Sequence, residues 1–188
     1  MTPPVQRVLL WSPVGAPGAE YCVVARSRAG WRVRGSVIAV AEDEPLRVEY
    51  QLACAADWRT RRARIETFSG DARRSTLLTV KDDRWFTASG ERVDLRGCED
   101  VDLGVTPMTN TLPIRRLNLA IGASAHVTAA WVRFPSLEIR PLGQVYTRLS
   151  EQTYRYESDT GFRTEIEVDA DGFVVTYPGG WERALPTA

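Results

Sequence analysis

The 188-residue sequence has little of what builds metal and disulfide sites: one histidine and three cysteines. Cys22, Cys54 and Cys98 are odd in number, lie far apart and form no C-x-x-C pair, so a disulfide framework is not expected. His126 has no cluster to join as a zinc ligand, and neither metal nor cofactor is expected. Net charge is missing as well, because 24 basic and 24 acidic residues cancel. A general nucleic-acid binder needs surplus cations to displace phosphate counterions, so nucleic acid is not an expected partner. No apolar run approaches the ~18 residues of a membrane span. The stretch from Val8 to Trp11 is too short for the core of a signal peptide, and the default expectation is a cytoplasmic protein that is not integral to a membrane. There is no P-loop, dinucleotide fingerprint, low-complexity linker or fixed-period repeat. Composition leaves the oligomeric state open.

What is present is a period of two. Leu46, Val48, Tyr50, Leu52 and Cys54 alternate with Arg47, Glu49, Gln51 and Ala53, the pattern of a strand buried on one face. Residues 31–37 and 162–168 alternate in the same way, and further strand-like runs fall near 5–11, 20–26, 58–68, 75–81, 84–87, 91–95, 125–134, 137–140, 144–149, 153–157 and 173–177. Turn chemistry separates them, as in Lys81-Asp82-Asp83, Ser158-Asp159-Thr160-Gly161 and Asp169-Ala170-Asp171-Gly172. The expected fold is therefore all-β and mainly antiparallel, one domain over residues 1–188. So many hairpins in a flat sheet would leave exposed edges; curling hides them, and a curled sheet encloses a hollow. The halves before and after residue 100 are expected to form two sheets of one roll.

One segment breaks the alternation. Pro113 suits a first helical turn, Thr111 can cap it, Ile114, Leu117 and Ile121 recur at helical spacing and Gly122 can stop it, which predicts one short helix near 111–121.

Catalytic signatures are thin. Gly122-Ala123-Ser124-Ala125-His126 begins like a nucleophile elbow but lacks the final glycine, and a strand-edge Ser124 beside a locally bonded His126 is the plainer reading. Asp169-Ala170-Asp171-Gly172 opens like a calcium loop, yet Phe173 stands where an oxygen ligand is required, so a hairpin turn accounts for it. Asp100 and Asp102 lie two apart in an extended stretch and can face the same way, as a general acid and its neighbour would, or they can cap loops. Lys81 is the sole lysine, and this arginine bias can reflect base composition alone; position carries more information. Arg59, Arg61, Arg62 and Arg64 crowd one strand with Trp58, while Arg115 and Arg116 sit by Asn110 at the break in the sheet, where guanidinium forks can hold a carboxylate, phosphate or sugar hydroxyls. Aromatic residues concentrate late in the chain. Most belong to the core, but a subset lining a concave side would suit acyl chains or sugar faces.

The segment from Asp100 to Leu117, DVDLGVTPMTNTLPIRRL, resembles the bacterial glycolipid-binding family first catalogued as a domain of unknown function. Asp57–Arg62, Trp131–Glu138, Gln144–Leu149, Tyr154–Ser158 and Tyr177–Gly179 resemble it too, from about residue 46 to the C-terminus. The resemblance implies a spiral β-roll similar in shape to bacterial lipoprotein carriers. It supplies no catalytic residues. Trp58, Arg62, Thr109, Asn110, Arg115, Arg116, Trp131, Tyr146, Tyr154 and Tyr156 fall in the matching motifs and have binding chemistry, so they are the candidate ligand-binding residues. The leading expectation is a non-enzymatic protein for a glycolipid or other amphiphile, its tail on the concave side and its head at Arg115, Arg116 and Asn110. Two readings stay open beside it: a hydrolase-like enzyme on a sugar or small ester using Asp100 or Asp102, and an interaction domain whose interior its own side chains fill.

Overall fold

The computed structural model describes residues 6–184. Its strands are β1 (Gln6–Pro13), β2 (Ala19–Ser27), β3 (Gly30–Ala41), β4 (Glu44–Cys54), β5 (Thr60–Ser69), β6 (Ala72–Lys81), β7 (Arg84–Thr87), β8 (Gly90–Glu91), β9 (Asp100–Leu103), β10 (Ser124–Val132), β11 (Ile139–Arg148), β12 (Thr153–Ser158), β13 (Arg163–Val168), β14 (Val174–Tyr177) and β15 (Trp181–Arg183). All fifteen belong to one curled, unclosed sheet in the order β8 to β1, then β15 back to β9. The expected split into two sheets near residue 100 is thus corrected: two meanders fuse where β1 pairs antiparallel with β15. Every ladder is antiparallel except β9 with β10. A parallel pair needs a long crossover, and residues 104–123, with the helix α1 (Thr111–Leu117), supply it.

Strand alternation sorts the faces as the sequence predicts, with Val33, Val37, Val48, Tyr50, Ala63, Ile65 and Leu78 buried on the concave side. Tyr50 lies across its ladder partner Gly35, where any Cβ would stand 2.2 Å from the ring. That glycine lets the phenol reach two strands over to Glu20 and Cys22.

The hollow expected beneath the sheet is filled. Trp11, Tyr50, Trp85 and Leu95 pack into one core with Leu103 of β9 and with Met108 and Leu112 of the crossover, all at most 1% exposed. The crossover therefore acts as a plug, and burying a Leu or Met side chain of this kind contributes about 1.5–3 kcal/mol. A second cluster under the later strands joins Ile114, Val127, Tyr146, Tyr154, Tyr156, Ile166, Val168 and Val174.

At the β9 edge, threonine hydroxyls meet the outward amides: Thr60 Oγ1 accepts from Val101 N–H at 3.0 Å and Thr109 Oγ1 from Leu103 N–H at 3.2 Å. These bonds blunt an edge that would otherwise be open to pairing.

Local boundaries differ from the sequence expectation for identifiable reasons. The helix ends at Leu117, not 121, because Asn118 turns left-handed (φ 42°) and its N–H closes on Ile114 O. Thr111 is the first helical residue rather than the cap, with Asn110 before it and no capping side-chain bond. The run near 91–95 is a two-residue strand followed by a 3-10 turn at Val93–Leu95. The runs at 137–140 and 144–149 are one strand, β11, and the short strands β9 and β15 carry too few residues for a visible period. Strand β5 starts at Thr60 because Trp58 adopts φ 71°. The calcium-like loop is a turn in which Asp169 Oδ1 accepts the N–H groups of Asp171 and Phe173. No helix among the described residues is long and apolar enough to cross a membrane.

Candidate functional site

A groove of about 280 Å³ opens where the start of the crossover meets the last strands. Its floor carries Asp102 of β9 and Asn110 of the following 3-10 turn; its walls are Trp131 of β10, Tyr156 of β12, Phe162, and Tyr177 and Trp181 around the β14–β15 hairpin. Strand period places these side chains together. Asp102 registers with Trp131 in the parallel ladder, and Tyr177 with Trp181 across the last hairpin. Phe162 and Tyr177 stack with planes 5° apart and centroids 6.0 Å apart, and Tyr156 tilts against both. Gly104 leaves room for the Trp131 indole, whose Nε1 stands 3.0 Å from where a Cβ would be.

Polar groups in the floor are held by neutral partners. Asp102 Oδ2 accepts from Gln144 Nε2 at 2.6 Å and Oδ1 from Thr109 Oγ1 at 3.3 Å. Gln144 Nε2 also donates to Tyr156 Oη at 3.0 Å, so one amide holds both the acid and the phenol. Asn110 Oδ1 accepts from Tyr146 Oη at 2.9 Å, which fixes the amide and leaves Nδ2 on Pro107 O at 3.2 Å. Burial pushes the Asp102 carboxyl up to about 6, against the opposing pull of the Gln144 and Thr109 hydrogen bonds. The same burial raises Tyr156.

Asp100, on the same strand face, has a different fate. Arg116 grips it at 2.6 Å and also reaches Glu99 at 3.2 Å, with Arg59 on the far side of Glu99 at 2.9 Å. A buried carboxylate paired this way is a structural anchor, while Asp102, among the described residues the single acid lining the groove, has protein donors but no cation on it.

Of the residues singled out from the sequence, Asn110, Trp131 and Tyr156 line the groove, and Thr109 and Tyr146 hold its floor from behind. The other five lie apart from it. Trp58 is buried against Trp31, centroids 4.4 Å apart, under the Arg115 guanidinium, and Arg115 also donates to Asp171 O. Arg116 is committed to Asp100. Arg62 is exposed on the convex side, and Tyr154 sits in the second core beneath Arg148. Ser124 and His126 are both exposed, with Ser124 bonded to Thr147 at 2.7 Å. The candidates drawn from the sequence omit Phe162, Tyr177 and Trp181 of the groove wall, and Gln144, which holds Asp102 and Tyr156 from behind. The available signal was the matching Gln144–Leu149 and Tyr177–Gly179 motifs.

A model of the family described as "Putative glycolipid-binding" matches residues 8–183. The chain belongs to this family. Among solved structures, a DUF1089 family protein from Pseudomonas aeruginosa is 32% identical, covering 87% of this chain and 91% of its own, with a TM-score of 0.79. A beta-barrel-like protein of domain of unknown function DUF1849 from Brucella abortus shares the fold at 11% identity and a TM-score of 0.51, covering 96% of this chain and 94% of its own. A search of curated proteins finds no match. The matched span, residues 8–183, includes both the anchor, Arg116 on Asp100, and the groove floor of Asp102 and Asn110.

Proposed function

We propose that the protein binds a glycolipid without chemical turnover, its sugar head in the Asp102 groove. One observation carries this reading: a stacked aromatic pair and a buried carboxylate with a neighbouring amide line the same groove. A sugar ring is apolar on its C–H face and polar at its rim, and it is matched by an aromatic wall on one side and fixed acceptors on the other. Two-carboxylate glycoside hydrolysis requires a second acid across the scissile bond, and Asp102 has no such partner in the lining. With the concave side packed, the lipid tail leaves past Phe162, which is 43% exposed at the groove mouth.

Titration calorimetry with short alkyl glycosides, the matching alkyl alcohols and fatty acids tests the proposal. Alkyl glycosides are expected to bind; Asp102→Asn is expected to weaken them by about tenfold or more, since a hydrogen bond to a charged group is worth about 1.5–3 kcal/mol, and Tyr177→Ala by roughly two- to tenfold through loss of the aromatic wall. Equal affinity for fatty acids, or indifference to both substitutions, overturns it.

A further inference from the structure

The chain is neutral overall, yet its charge is not spread evenly over the sheet. Ladder register sets Arg32 and Arg34 of β3, Arg47 of β4, Arg62 and Arg64 of β5 and Arg73 of β6 on one convex face, partnered across the strands by residues of the same face. Lys81 and Arg84, partners across the β6–β7 hairpin, extend it. The carboxylates on these strands' convex side are Glu49 and Glu66. Glu49 accepts from Ser36, and Glu66 is already shared by Arg64 and Arg73 at 2.5 and 2.6 Å. Of the other nearby acids, Glu91 of β8 lies 3.7 Å from Arg84, Glu138 faces Arg62, Arg64 and Leu77 across a recess but is held by Arg133 and Arg140, and Glu42, Asp43, Asp71, Asp82 and Asp83 lie at hairpin tips beyond the strand ends.

Aliphatic side chains stand among these cations. Ile38, the ladder partner of Arg47, is 60% exposed; Val8 is 54% and Leu77, the partner of Arg64, is 38% exposed. Arg47 also lies 4.1 Å over the Phe68 ring. A surface that covers these aliphatic groups and also meets the cations around them is apolar beneath and anionic at its rim.

We propose that this convex face docks on an anionic phospholipid bilayer, the arginines at the phosphate level and Ile38, Leu77 and Val8 entering the headgroup layer. A basic surface with protruding aliphatics is the chemistry of peripheral lipid association. Nucleic acid would use the cations but offers nothing to branched aliphatic side chains, which favours the bilayer. The inference uses none of the groove residues. It would set the protein at the surface where sugar-headed lipids reside.

The test is sedimentation of the full chain with vesicles of equal parts phosphatidylglycerol and phosphatidylcholine, containing no glycolipid. Binding is expected at low salt, falling as salt rises, with none to pure phosphatidylcholine. Changing Arg32, Arg34 and Arg47 together to Ser should lower the partition coefficient about fivefold per residue, on the order of a hundredfold in total. Ile38→Ser with Leu77→Ser should weaken binding to the anionic vesicles at low salt while leaving its salt dependence unchanged. Asp102→Asn should bind these vesicles like wild type, so loss of glycolipid binding in that variant leaves the result untouched. All these positions on the convex face are exposed, and unchanged urea midpoints verify the fold, while the salt titration needs no variant. Equal binding to neutral and anionic vesicles, wild-type binding by the triple arginine variant, or a preference for duplex DNA over the anionic vesicles overturns the proposal.

Discussion

Glu20 is wholly buried beneath the plug, where Thr106 Oγ1 donates to its Oε2 at 2.6 Å and the Tyr50 hydroxyl donates to its Oε1. Burial pushes its carboxyl from 4.5 up to about 7, with both hydrogen bonds opposing. The groups facing it from the neighbouring elements are Tyr50, Cys22 and Thr106; burial raises the phenol and the thiol well above their ordinary values, so neither titrates in the same range. In the folded chain Glu20 keeps its proton to about pH 7, whereas the unfolded chain releases it near 4.5. Between those limits the native state binds more protons, so stability falls as pH rises, and the loss is complete above pH 7. A tenfold difference in proton affinity is about 1.4 kcal/mol, which makes the whole loss on the order of 3 kcal/mol. Glu20→Gln removes the titration while keeping an acceptor for one hydroxyl and a donor for the other. Urea unfolding of both proteins from pH 4 to 8 gives the difference directly, with contributions from other groups cancelling. The variant should gain on wild type by about 3 kcal/mol across this range. A difference that does not change with pH would show that Glu20 is ionised in the fold and refute the reasoning.

Gly35→Ala drives a methyl into the Tyr50 ring, 2.2 Å away, and strips the buried phenol from Glu20; a loss of about 2–4 kcal/mol is expected in chemical denaturation, and an unchanged midpoint counts against the packing described. Leu112→Ala cuts into the plug and should cost about 2–5 kcal/mol, whereas less than about 1 kcal/mol would mean the crossover is not part of the core. Alkyl glycoside affinity should rise as pH passes upward through about 6, where Asp102 ionises and becomes the better acceptor, and calorimetry on Asp102→Asn should give a flat profile.

The strands were legible where one face is buried and the other wet. The alternation from Leu46 to Cys54 fixed both the existence of β4 and the side on which Tyr50 lies. It could not reveal that Tyr50 spans Gly35 to reach Glu20, because that depends on two ladders at once. Asp100 to Leu103 alternates polar with apolar and is legible as an extended stretch with both acids on one face, but four residues hold too little pattern to show a strand that pairs parallel with β10. The groove was half legible. Asn110, Trp131 and Tyr156 came from motifs, but Arg115 and Arg116 looked equally fit for a ligand, and only coordinates assign them to Asp171, Trp58 and Asp100. The filled interior was invisible for a general reason: period two says which side is apolar, not whether another part of the chain will cover it.

The seam between the two meanders has a mechanical meaning. Three residue pairs join β1 to β15, from Trp11 with Arg183 to Pro13 with Trp181, and the free directions of both strands leave the ladder on the same side. Tension applied through Gln6 and Ala184 therefore peels the strands apart like a zipper, loading one rung at a time instead of shearing all together. Arg183 and Arg7, both clasping Asp169, act as the buckle on that zipper. Under stretching the molecule should part first at its middle, with each meander still folded on its own hairpins.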